Sequence, residues 1–134
     1  MQFLIILLAS IASMLLGMLW YSPSVFGKKW MKLSKIDIKQ INKAKKQGMA
    51  GNYIAGFIST IITAIVLKIF IMLIGVSTAS EGLLVGLLAS IGFIATTSLG
   101  MILWERKPLQ LYTLNVSYNI VSFMLMGAIL AAWN

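Results

Sequence analysis

Apolar residues dominate the chain in four long blocks: Met1–Tyr21, about Ala50–Ile74, Gly82–Trp104 and Leu109–Trp133. The first block contains no charged residue, and only Lys68 interrupts the other three. A run of about 20 apolar residues matches a hydrocarbon core of about 30 Å at 1.5 Å of helical rise per residue. The pattern therefore predicts four transmembrane helices. Polar connections separate them at residues 22–49, 75–81 and 105–108. The first block lacks a basic leader and a small-residue cleavage site, and it is too long for the apolar part of a signal peptide. It is read as a retained span.

Within the blocks, small residues recur at four-residue spacing. Ala9, Ser13 and Gly17 do so in span one, and Gly51, Ala55 and Ser59 in span two. Span three has two such ladders, Gly82–Gly86–Ser90 and Gly92–Thr96–Gly100, with Thr97 and Ser98 beside the second. Such faces let helix backbones approach closely in lipid. They suit packing inside one bundle or a seam between copies. The double ladder predicts that span three is the most enclosed helix. Span four carries the most polar stretch, with Asn115, Ser117, Tyr118, Asn119 and Ser122. An amide in lipid must find partners, so Asn115 and Asn119 should face the bundle, for interhelical hydrogen bonding or a polar ligand cavity. Lys68 stands about 10 Å from the end of its span. It can snorkel outward or pair with Glu81, or serve transport or gating.

The segment between spans one and two is patterned differently. Trp20, Tyr21, Phe26 and Trp30 have the character of an interfacial aromatic belt. Pro23 ends or kinks the span and Gly27 permits a sharp turn. The elbow Trp20, Tyr21, Ser22, Pro23, Phe26, Gly27, Trp30 is thus a head-group anchor or the mouth of a ligand site. Ser34 and Asp37 resemble a helix-capping pair, which predicts a helix from about Lys35 to Gln47 with Gly48 as its C-cap. Lys39, Lys43 and Lys46 share one face of it, and Ile38, Ile41 and Ala44 another. It reads as a basic amphipathic helix on the membrane surface, or as a solvated connector.

Composition sharpens the class. The 134 residues are 60% hydrophobic and 10% charged, against about 25% charged in ordinary soluble domains. Four spans use nearly the whole chain, leaving one all-α membrane domain over residues 1–134 and no room for a soluble catalytic domain. The net charge is +8. Eight lysines between Lys28 and Lys46, with Arg106 and Lys107, lie in two connections on one side. This positive-inside pattern places those connections in the cytoplasm, with both termini outside. Lys28, Lys29, Lys39, Lys43 and Lys46 are the candidates for contact with anionic lipid head groups. Nucleic acid is not the expected partner.

There is no cysteine and no histidine. That excludes disulfides and thiol catalysis, and it removes the commonest proton shuttle and transition-metal ligand. Paired carboxylates, a nucleophile–base set, a metal cluster and a phosphate-binding glycine loop are all missing from the pattern. No enzyme activity, cofactor or metal is expected.

The segment Trp20–Met31, WYSPSVFGKKWM, resembles the WYSP-x-x-FG-x-x-W signature of the domain of unknown function 1761 family. These are small bacterial and archaeal four-span membrane proteins. The likeness extends through the basic loop, Glu105-Arg106, Asn115-Val116-Ser117-Tyr118 and the ending Met126–Trp133. Where such proteins often read Asn-x-Gly-Tyr, this chain has Ser117. The resemblance implies an integral membrane bundle and supplies no substrate.

Two functions fit these residues. One is a homo-oligomeric transporter or channel for a small neutral or anionic solute, with a polar path drawn from Lys68, Thr96, Thr97, Asn115, Tyr118 and Asn119. No acid lies inside a span, which argues against cation-coupled transport. The alternative is a membrane-organising or accessory protein that binds anionic lipid or a larger membrane partner.

Overall fold

The computed structural model describes residues 2–35 and 38–133. Its helices are α1 (Gln2–Trp20), α2 (Gly27–Ser34), α3 (Ile38–Gln47), α4 (Ala50–Ile74), α5 (Ala79–Ala89), α6 (Gly100–Leu103) and α7 (Leu109–Ala132). Four helical stretches are long and apolar enough to cross a membrane: Gln2–Trp20, Ala50–Ile74, Ala79–Leu103 and Leu109–Ala132.

The predicted basic loop contains two helices rather than one. Helix α2 follows directly on the elbow and ends at Ser34, and Lys35 turns left-handed at φ 59° as its C-cap. Ser34 therefore closes a helix instead of opening the next, and Lys35 is not helical. Asp37, the other half of the expected capping pair, lies outside the described residues. Helix α3 begins at Ile38. Gly48 ends it as expected, with φ 93° and its N–H donating to Lys45 O at 3.2 Å.

Span three is neither continuous nor the most enclosed helix. Thr78 caps α5 by accepting the Glu81 N–H at 3.3 Å, and its hydroxyl donates to the Glu81 carboxylate at 2.8 Å. This is a variant of the reciprocal Thr-x-x-Glu box. It starts the span at Ala79, so Glu81 belongs to a first turn and not to the loop. After Ala89 the backbone widens into a π-helical segment, Ser90–Ala95, and then tightens into a 3-10 turn, Thr97–Leu99. Irregular backbone in lipid needs substitute partners. Thr96 and Thr97 hydroxyls donate to Gly92 O and Phe93 O, and the Tyr112 hydroxyl donates to Ala95 O.

The central helix is α7. It packs against α1, α4 and α5 and carries more buried residues than any other helix described. Its closest neighbour is α5. A Cβ on Gly82 would meet Gly127 O, and one on Gly86 would meet Phe123 O. The backbones touch along the Gly82–Gly86–Ser90 face, as its spacing predicted. The Gly92–Thr96–Gly100 ladder does not pack this way: Gly92 and Thr96 are exposed, with nothing near Gly92. In span two, Gly51, Ala55 and Ser59 are likewise exposed. Helix α4 packs mainly through its second half. Ala64, Leu67 and Ile71 join Ile5, Ala9, Met126 and Leu130 in the core, whereas residues 50–56 are all exposed.

Candidate functional site

The aromatic elbow is built by short-range backbone geometry. Pro23 holds the second position of a turn closed by Val25 N–H on Ser22 O at 3.0 Å. Gly27 N–H then reaches Ser22 O at 2.8 Å. A Cβ at Gly27 would lie 2.7 Å from the Ser22 carbonyl group and collide with Tyr21 O. Only glycine allows this fold-back.

The turn aims its aromatics at α7. Trp20 Nε1 donates to Leu114 O at 3.3 Å, and the Tyr21 hydroxyl donates to Asn115 Oδ1 at 2.7 Å. The Tyr118 hydroxyl donates to Ser13 O at 3.1 Å, and its ring lies over Gly17. The rings also meet one another. Trp20 stands 4.9 Å from Phe26, while Tyr21 stands 5.8 Å from Trp30 and 5.5 Å from Tyr118. Burial, reinforced by the neighbouring Tyr118 phenol, pushes the Tyr21 hydroxyl up to about 12, so it stays a neutral donor at ordinary pH. The WYSP-x-x-FG-x-x-W segment and Asn115–Tyr118 thus form one lock, joining residues 94 apart in the chain.

A half-open cavity of about 370 Å³ lies beside the lock. Trp20, Phe26, Leu109 and Leu114 make it largely apolar, with Lys29, Gln110, Thr113 and Ser117 as its polar groups. Because Lys29 and Leu109 line one cavity, the lysine-rich connection and the Glu105–Pro108 connection lie at the same end of the bundle. All eight lysines from Lys28 to Lys46 are exposed there. Trp30, Ile41, Ala44 and Met49 line a shallow apolar groove on α2 and α3.

Lys68 is at the opposite end and is not snorkelling. It is 2% exposed, and Nζ donates to Leu130 O at 2.9 Å. Leu130 belongs to the last turn of α7, whose carbonyls lack intrahelical donors and carry partial negative charge. The ammonium caps that terminus. Glu81 is exposed on α5, held by Thr78.

A second, smaller chamber of about 160 Å³ lies between α1, α4 and α7. Its walls include Ser13, Thr60, Thr63, Tyr118, Asn119 and Ser122. Ser13 and Ser122 hydroxyls pair at 2.6 Å, both buried. Of the six residues expected to form a polar path, only Tyr118 and Asn119 line this chamber. Asn115 holds Tyr21, Thr96 and Thr97 face their own backbone, and Lys68 caps α7. Sequence reasoning missed Ser13, Thr60, Thr63 and Ser122 as a group. Their shared chamber depends on which helices meet, although each hydroxyl was visible as a polar position in an apolar run.

The geometry defines a class, an integral membrane protein built as a four-span helical bundle with an aromatic lock at its lysine-rich end. The profile of the family described as "Protein of unknown function (DUF1761)" matches residues 4–131. The chain belongs to that family. No curated protein and no solved structure matches it.

Proposed function

We propose that this protein is a membrane-organising or accessory protein that gathers anionic lipid at its lysine-rich end. The observation that carries the reading is the display of eight exposed lysines on and around α2 and α3, above the elbow cavity with Lys29 at its polar side. Each lysine near an anionic surface contributes about 1 kcal/mol. The cavity's apolar floor suits an acyl chain whose phosphate meets Lys29. By the positive-inside rule this end faces the cytoplasm. The role needs no catalytic group or cofactor.

A solute path is the weaker reading, because Lys68, Thr96 and Asn115 are each held in separate local bonds. Homo-oligomers remain compatible with either role. The exposed Gly51–Ala55–Ser59 face is the favoured seam, and cross-linking of an Ala55→Cys variant in native membranes is expected to trap dimers.

The decisive experiment measures lipids retained by the protein released from mixed phosphatidylglycerol and phosphatidylcholine vesicles. Enrichment of phosphatidylglycerol is expected, and the Lys39→Gln/Lys43→Gln/Lys46→Gln variant should lose most of it. Equal retention of both lipids by the wild type would overturn the reading.

A further inference from the structure

The mid-membrane chamber has an unusual balance of hydrogen-bonding groups. The Thr60 hydroxyl donates to Gly56 O at 2.9 Å and that of Thr63 to Ser59 O at 3.1 Å. The Tyr118 hydroxyl donates to Ser13 O, and Asn119 Nδ2 donates to Asn115 O at 3.0 Å. These donors are engaged with backbone carbonyls. Their oxygens, and Asn119 Oδ1, remain available to accept. The Ser13–Ser122 pair has a second hydroxyl hydrogen to give, and the Ser59 hydroxyl lines the chamber too, so the chamber is an uncharged, acceptor-rich surface that suits a neutral group able both to donate and to accept. No charged side chain lines it, so a charged head group would sit there without a counter-ion.

An apolar groove adjoins the chamber. Thr63 and Phe123 line both the chamber and this groove, of about 270 Å³, between α4 and span three. Val66, Phe70, Ala89 and Phe93 make that groove apolar. It runs from the middle of α4 toward the end opposite the lysines, alongside the π-helical segment. A polar chamber that shares Thr63 and Phe123 with an adjoining apolar groove fits an amphipath. Its depth selects the head group. Thr63 is near the midpoint of the 25-residue α4, about 18 Å from either end. At that depth a phospholipid head group loses the hydration of its charges with no counter-ion to replace it, whereas the few water contacts that a single hydroxyl loses can be replaced by the chamber's hydrogen bonds.

We propose that the chamber and groove bind an uncharged lipid alcohol, its hydroxyl donating to the Thr63–Asn119 oxygens and its hydrocarbon chain lying between α4 and span three. This site is separate from the lysine-rich end. A protein that fails to enrich phosphatidylglycerol can still bind the alcohol, and the reverse.

The test uses the full chain in phosphatidylcholine nanodiscs and octadecanol carrying a mid-chain diazirine. Photolabelling should saturate and map to residues 62–70 and 89–94. Unlabelled octadecanol should compete at least about tenfold better than stearate or octadecylamine, the factor expected from about 1.4 kcal/mol. Thr63→Val keeps the side-chain shape and should weaken labelling by about fivefold, the loss of one hydrogen bond. Asn119→Leu should do the same, and if it unfolds, Thr63→Val alone decides. Labelling spread over all lipid-facing residues, equal competition by the charged amphiphiles, or unchanged labelling of a folded Thr63→Val variant would each overturn the proposal. The first of these outcomes would mean that the chamber holds water alone.

Discussion

Tyr21 shows how much one side chain carries at the elbow. Its hydroxyl supplies the hydrogen for Asn115 Oδ1, and its ring bridges Trp30 and Tyr118. Tyr21→Phe keeps the ring and removes the bond, and side-chain hydrogen bonds between transmembrane helices are worth about 0.6–1.7 kcal/mol. A loss of about 1 kcal/mol is expected in detergent unfolding. Because the folded-state hydroxyl is pushed up to about 12, its contribution is fully present below pH 10. It is lost as pH rises from 10 toward 12. The alkaline loss of stability should therefore be smaller in Tyr21→Phe than in the wild type. Lys68 is the other consequential residue. Lys68→Met leaves the Leu130 carbonyl without its ammonium donor, at about 1–3 kcal/mol for a stranded buried acceptor, and should lower the melting temperature. Phosphatidylglycerol retention should not change, since Lys68 is at the far end from the elbow. The sequence marked Lys68 as a costly charge within a span and Tyr21 as part of an interfacial aromatic belt. It could not name their partners, because Leu130 and Asn115 lie 62 and 94 residues away and nothing in a local pattern says which carbonyl or amide will arrive.

At the level of elements, the contact between α5 and α7 is the closest in the molecule. Gly82, Gly86 and Gly127 bring two backbones together. Gly86→Leu must part them, because the obstructing atoms belong to the Phe123 and Met124 backbone and cannot rotate away. Overpacking costs about 1–3 kcal/mol where side chains can adjust, and here the loss should reach or exceed that range, measured as lowered yield and melting temperature. Gly92→Leu is the matched control. Nothing lies within 4 Å of its Cβ position, so its effect should be small. The two glycines look alike in sequence, both being members of four-residue ladders. Periodicity identifies residues that share a face, but lipid and protein are equally apolar, so no hydrophobic signal says which face turns inward. The same ambiguity made span three look more enclosed than span four. The polar groups of α7 were the better guide, since Asn115, Tyr118 and Ser122 each required a partner that lipid cannot provide. Helix existence was legible throughout, because length and apolarity are properties of the residues alone. The π-helical segment was not, as it depends on the Thr96, Thr97 and Tyr112 hydroxyls meeting displaced carbonyls.

For the whole molecule, the arrangement of charge makes a prediction about orientation that follows from the bundle's geometry. The lysine-rich helices and the Arg106–Lys107 turn share one end, because Lys29 and Leu109 meet at one cavity. Gly75–Thr78 lies at the other, with Lys68 buried nearby as a cap rather than exposed as a surface charge. The charge asymmetry across the bilayer is therefore steeper than the formal count suggests, since the one lysine beyond the loops does not oppose it at the far surface. Topology follows such basic residues in short loops close to the span ends. The absence of cysteine permits a clean test with single reporters. Ser77→Cys is expected to react with a membrane-impermeant maleimide in intact cells. Gln47→Cys, exposed at the end of α3, should react only after the membrane is opened. Replacing the lysines of α2 and α3 with glutamine removes most of the bias that orients the chain, and labelling at both positions in intact cells should then report a mixed population. If Gln47→Cys of the otherwise unaltered chain reacts from outside, the lysines face away from the cytoplasm, and the proposal that they gather inner-leaflet anionic lipid falls with that orientation.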